Sequence, residues 1–317
     1  MDQLAGKRHL WFAISGALLV PCILSLIFFG LNFGIDFTGG SAWEIQFDHL
    51  VNTESIAKVI NEHGFSDVKV QQVGDSNLNR YMIRTSEIRE GSPKKLELEA
   101  ALGSLGTLNP AGQSLNTVGA SVGNSLRNRA VLAVLAASVG ILLYIAYAFR
   151  NTQSPFLYAT AAIVAMVHDA LIVLGIFSIL GWLFAVEVDA LFITALLTII
   201  GFSVHDTIVV FDRIRENLAN KVATRFEDIV NYSIAQTLVR SLNTSLTVVI
   251  TLLALYLFGG ASTRNFVLAL MIGIIAGTYS SIFNASQVLV AWENHEIQDA
   301  FNRIVRRKPT TQQRTAA

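Results

Sequence analysis

Six stretches of the chain, 10–31, 130–149, 156–180, 190–211, 241–258 and 266–292, are almost unbroken apolar runs. Crossing a hydrocarbon core takes about 20 helical residues, and each run is close to that length or longer. Polar segments separate them, so the pattern predicts a multi-pass bundle of transmembrane helices rather than a soluble core. An even number of spans puts both termini on one side. Between the first two runs the chain is polar from 32 to 129, room for a small domain outside the bilayer. There the period changes. Residues 41–47 alternate as a strand, 53–63 have helical spacing with Thr53 as N-cap and Gly64 as stop, and 68–73 and 80–85 read as two more strands. A second helix follows at 93–105, with Leu98, Leu102 and Leu105 at helical steps. Strand, helix, two strands, helix is the order of a ferredoxin-like α+β unit. No triad, paired acids or phosphate loop stands in it, so it reads as a binding or moving part, with a plain spacer as the alternative.

Composition agrees with a membrane setting, because 52% of residues are apolar and only 15% are charged. Basic residues choose the orientation. Lys7 and Arg8 lie in the 1–9 segment, Arg150 in the link between spans two and three, and Arg213, Arg215, Lys221, Arg225 and Arg240 after span four. The 293–317 tail adds Arg303, Arg306, Arg307, Lys308 and Arg314, whereas the links on the other face carry Glu187 and Asp189 or only Arg264. The positive-inside rule therefore places both termini in the cytoplasm and the 32–129 domain outside. The first run is longer than a cleaved signal core and is read as a true span. Leu19-Val20-Pro21-Cys22 has proline where a lipidation box needs a small residue. Cys22 is the only cysteine, which excludes an intrachain disulfide and a cysteine-rich metal site.

Candidate chemistry lies in the bilayer. His168-Asp169 and His205-Asp206 interrupt apolar runs, and a carboxylate there costs about 2.5 kcal/mol or more by insertion scales, a default sign of ion handling. Depth separates the two at about 1.5 Å per residue. Asp206 lies about 24 Å below the outer start of span four and Arg240 about 27 Å below the outer end of span five, so the two can pair. Asp169, only 11 residues before Leu180, is placed nearer the midplane, so the two pairs read as different sites rather than two copies of one. Protonation of Asp206 would release Arg240 and let helices repack. Two other roles stay open: Arg240 as an anchor snorkelling to headgroups, and Asp206 as an acceptor for neighbouring hydroxyls. His168, His205 and Asp212 are accessory candidates, and packing is the commoner fate of a lone intramembrane histidine. From 212 to 240, Ile214, Leu218, Val222, Phe226, Ile229 and Leu238 suggest an amphipathic helix on the inner membrane face, with a solvated connector as the alternative. Gly273, Gly277, Ser281 and Ala285 form a small-residue face for a helix of this chain or of a partner. Near the start, Gly34-Ile35-Asp36-Phe37-Thr38-Gly39-Gly40 suits a tight exit from the membrane.

That glycine segment, Val118-Gly119-Ala120-Ser121-Val122-Gly123, Val167-His168-Asp169, the run from Gly201 to Asn217, Gln236-Thr237-Leu238-Val239-Arg240-Ser241 and Leu257-Phe258-Gly259-Gly260 together resemble the SecF family. These are the smaller subunits of the SecD-SecF complex of bacterial protein export, in the RND superfamily, and the likeness covers almost the whole chain. It implies six spans with one extracytoplasmic domain and a SecD-like partner completing a twelve-span unit. It also implies proton-motive-force-driven help to preprotein translocation through the SecYEG channel after the SecA ATPase, with YajC and YidC as further partners. The implied role is that of an ion-gradient-coupled subunit and not of an enzyme. By motif, Asp206 and Arg240 take the essential aspartate and arginine positions and Asp169 the third-span position, while Asp36, Gly39 and Gly40 form the family turn. His205 departs from the asparagine expected there. No cofactor, metal or nucleic-acid partner is expected; the coupling ion is H⁺, with Na⁺ as the alternative. The rivals are half of another RND-type transporter and a non-transporting scaffold.

Overall fold

The computed structural model of the chain describes residues 5–65, 68–73, 78–152 and 154–294; most of the basic tail lies outside these. Helix α1 (Arg8–Phe28) crosses first, and a short helix α2 (Ile35–Thr38) leads into the domain. The domain then runs β1 (Gly40–Gln46), α3 (Thr53–Glu62), β2 (Lys69–Gln72), β3 (Arg80–Thr85), α4 (Pro93–Gly103) and β4 (Ser114–Val118). Its sheet order is β2-β3-β1-β4 with every pairing antiparallel, the ferredoxin-like arrangement. The fourth strand is absent from the sequence reading because its short polar-apolar alternation never buries a full face. On α3 the cap is Asn52, whose side chain accepts the Glu54 N–H at 2.9 Å, and Thr53 is instead the first helical residue. Trp43, Ile45, Tyr81 and Ile83 on one face of the sheet pack against Ile56, Ile60, Leu98 and Leu102 of the two helices. The other face, with Ala42 and Arg84, is turned away from that core.

The remaining spans are α5 (Ala120–Ala148), α6 (Pro155–Phe184), α7 (Ala190–Ala219), α8 (Phe226–Phe258) and a composite sixth. The sixth runs α9 (Arg264–Ser280), one π-helical turn (Ser281–Ala285) and α10 (Ser286–Glu293). All six are long and apolar enough to span a bilayer. Close approach relies on glycine. A Cβ on Gly175 of α6 would stand 2.2 Å from the Cβ of Cys22 on α1, and one on Gly273 of α9 would stand 2.3 Å from Ile199 of α7. The small-residue face of the sixth span therefore meets helices of this same chain.

The expected surface helix over 212–240 is not formed. Instead α7 continues to Ala219 and α8 begins at Phe226, leaving a six-residue link that holds Lys221 at φ 51°. Ile214, Val230 and Ile234 are buried in the same core as Phe149, Tyr158 and Phe211. Their helical stripe packs into the bundle rather than against headgroups, because a helix already nucleated in the bilayer propagates past its edge at little cost.

Candidate functional site

Burial of polar atoms marks one layer of the bundle. Asp169 on α6 is 1% exposed. Its Oδ2 accepts hydrogen bonds from the Ser203 hydroxyl of α7 at 2.5 Å and the Ser280 hydroxyl of α9 at 2.7 Å. Its Oδ1 meets His168 Nδ1 at 3.0 Å. Gly277 permits this: a Cβ there would press to 3.1 Å from Ser203 and 3.5 Å from Asp169 Oδ2. Asp169 thus ties three helices together, and buried polar groups in lipid are stable only when satisfied in this way.

Asp206 sits one helical turn beyond Ser203 and is 4% exposed, yet its Oδ2 has no hydrogen-bond partner among the described residues. The nearest hydroxyl in sequence, Thr207, donates to its own helix at Ser203 O. Arg240 on α8 is solvent- or lipid-exposed, and the expected Asp206–Arg240 ion pair is not closed. The physical reason is placement: Asp206 is buried on α7, while Arg240 is exposed on α8. Arg240 is the cation whose field reaches Asp206. His205 is exposed and Asp212 pairs with Arg215 at 2.6 Å on the far end, so neither joins the layer.

The expected separation of the two carboxylates in depth is corrected. The third span ends at Phe184 and not near 180, so Asp169 lies about 22 Å from the domain end of α6, against about 24 Å for Asp206 on α7. Ser203, which donates to Asp169, stands one helical turn before Asp206 on α7. Sequence reasoning missed Ser203 and Ser280; their signal was a hydroxyl one turn from Asp206 and another inside the small-residue stripe. A second buried network joins α7 to α8, where Asn217 donates to Ser233 at 2.9 Å and Gln236 at 3.0 Å.

At the domain end, the glycine segment is bolted to the α6–α7 link. Gly34 N–H donates to Val188 O and Val188 N–H to Asn32 O, each at 2.9 Å. Asp36 Oδ2 accepts the Ala190 N–H at 2.9 Å, and Asp189 caps α7 through Phe192 N–H at 2.8 Å. Gly39 and Gly40 take φ of 73° and 109°, and a Cβ on them would stand 2.7 Å from Ala120 Cα and 2.6 Å from Thr85 O. Only glycine fits these two places. Burial, with the Asp36 carboxylate adding to it, raises the Asp189 carboxyl above its ordinary range. Arg84 of β3 forms an ion pair with Glu187 of the same link.

Fold and layer together define a polytopic membrane protein with buried intramembrane carboxylates and one inserted α+β domain. Two family descriptions match it: "Protein export membrane protein SecD/SecF, C-terminal" over residues 97–295 and "SecD/SecF GG Motif" over 24–49. The chain is 50% identical to the protein translocase subunit SecF of Thermobaculum terrenum, covering 96% of this chain and 98% of that one. It is 42% identical to the SecF subunit of Anaerolinea thermophila, again over 96% and 98%. The crystal structure of SecDF from Thermus thermophilus superposes with a TM-score of 0.78 at 36% identity, covering 92% of this chain and 38% of that chain. The chain belongs to the SecF family of protein translocase subunits and is an auxiliary component of the Sec translocase.

Proposed function

We propose that the chain couples an ion gradient to preprotein translocation, with Asp206 as the group that takes up the ion. The observation that carries this is Asp206 Oδ2, buried in the bundle without a hydrogen-bond partner among the described residues; His168 Nε2, Ser241 Oγ and the Gln287 amide are also unpaired there, but Asp206 is the one carboxylate of the described spans left so. Such an oxygen is satisfied by an arriving proton, by Na⁺ or by a guanidinium, and Arg240 is the cation within electrostatic reach. Asp169, already holding two hydroxyls and an imidazole, is the fixed support beside it. Lys7, Arg8, Arg150, Arg213, Arg215 and Lys221 gather at the end opposite the domain, which the positive-inside rule assigns to the cytoplasm.

In the Bacillus subtilis relative, 37% identical, the matched region is 38% of one SecDF chain. That fusion supports a SecD-like subunit as the partner here. SecYEG, SecA, YajC, YidC and the preprotein are the further partners in this reading. The test is Asp206→Asn assembled with its SecD-like partner in vesicles, with H⁺ and Na⁺ gradients imposed separately. Export driven by the coupling ion should fall at least about tenfold while assembly is unchanged. Wild-type export by the variant under either gradient would refute the coupling role and favour a scaffold.

A further inference from the structure

The face of the sheet turned away from the domain core carries two opposed cations. Lys69 on β2 and Arg84 on β3 are direct cross-strand partners, and like charges so placed are destabilising unless an anion lies between or beside them. Glu187 answers Arg84. Lys69 has no ion-pair or hydrogen-bond partner among the described residues. Glu87, the acid nearest in the same cleft, is held by Arg89 at 3.0 Å.

Lys69 lines two adjoining clefts, of about 530 Å³ and about 450 Å³, at the junction of domain and bundle. The smaller lies between the ends of α1 and α6 and is walled by Phe28, Asn32, Ser178, Gly181 and Trp182. The backbone N–H groups of Leu31 and Asn32 at this cleft make no hydrogen bond among the described residues. Phe29 and Trp182 stack at its side with ring centroids 4.5 Å apart, and Phe28 and Trp182 are 74% and 61% exposed. Exposed aromatic rings at a helix end mark the membrane–water interface. A free ammonium just above that level, over a cleft open to lipid, complements a phosphate sitting on top of acyl chains.

We propose that this junction binds the headgroup of one anionic phospholipid from the leaflet on the domain's side. The phosphate sits against Lys69 and the Leu31 and Asn32 N–H groups, and the acyl chains run down along Phe28 and Trp182. The lipid supplies the counter-charge that Lys69 lacks and fills the space between sheet and bundle.

The full chain, delipidated in detergent, is re-supplied with phosphatidylglycerol or phosphatidylcholine and the retained lipid is counted by native mass spectrometry. Phosphatidylglycerol should be retained about fivefold better, the selectivity of one basic side chain at a membrane surface. Lys69→Glu and Lys69→Gln should abolish the preference and Lys69→Arg should keep it, with an unreactive Cys22 thiol reporting an intact bundle. Inorganic phosphate should not displace the lipid. Equal retention of the two lipids, a preference that survives both Lys69→Glu and Lys69→Gln, or displacement by inorganic phosphate would each overturn the proposal.

Discussion

Asp169 on α6 bonds Ser203 of α7, one helical turn before Asp206, and removing the two carboxylates should have different effects on stability. Each aspartate-to-alanine change deletes the same three atoms from a buried site, so the cavity terms largely cancel in the comparison. What differs is bonding. Asp169→Ala strips partners from two hydroxyls and an imidazole. Intramembrane hydrogen bonds average about 0.6 kcal/mol and reach about 1.7, so three of them cost about 2–5 kcal/mol. Asp206→Ala removes an oxygen that has no partner, which relieves a desolvation cost and leaves stability unchanged or raised. At about 2 °C per kcal/mol the two variants should melt at least about 4 °C apart. Cys22 is the reporter: it is the chain's single cysteine, 5% exposed between α1 and α6, and reacts with a fluorogenic maleimide only when the bundle opens. Heating the purified wild type and both variants with that reagent gives the three midpoints. A loss with Asp206→Ala as large as with Asp169→Ala would mean that Asp206 is structurally bonded, and the assignment of roles would fail.

Two further outcomes concern the domain end. Asp36→Ala removes the acceptor that holds the start of α7 to the segment leading into β1; it should cost about 1 kcal/mol, with Asp36→Asn restoring most of it, and spin labels on the domain and on α6 should show a broadened distance distribution. Asp189 is an acid whose carboxyl is raised in the fold by burial and by Asp36, so its ionised form is disfavoured there. Stability from this group is therefore greatest below its ordinary value near 3.8 and declines as pH rises through the raised one. Asp189→Asn, which keeps a capping oxygen, should be stabilising by less than about 1 kcal/mol at neutral pH after solvent screening, and neutral at pH 3, as followed by Cys22 reactivity against pH.

The number of spans and the class of the domain were legible because bilayer thickness and strand alternation each impose a period on the sequence. Helix ends were less legible. Nothing in Ile214 or Ile234 distinguishes a stripe that packs on headgroups from one that packs on Phe211, since both need the same spacing. The misplaced end of α6 in turn separated Asp169 from Asp206, because the apolar run was ended at Leu180 although the helix continues to Phe184. For the site, the carboxylates announced themselves by their cost in an apolar run. Their serine partners did not, because a serine in a membrane helix can satisfy itself on its own backbone, as Ser233 does with Ile229 O at 2.7 Å. Whether Asp206 and Arg240 face one another depends on rotation about two helix axes, which depth counting does not contain.

The π-helical turn at Ser281–Ala285 gives the last span two independent phases. Ser280, just before it, points to Asp169, while Asn284, within it, accepts the Ser15 hydroxyl of α1 at 2.8 Å. One extra residue shifts a helix's angular register by about 100°, so the turn lets a single rod address α7 above and α1 below without bending. One continuous span thus presents one face to the carboxylate layer and another to the first helix, two contacts that a uniform α-helical period would set about 100° differently.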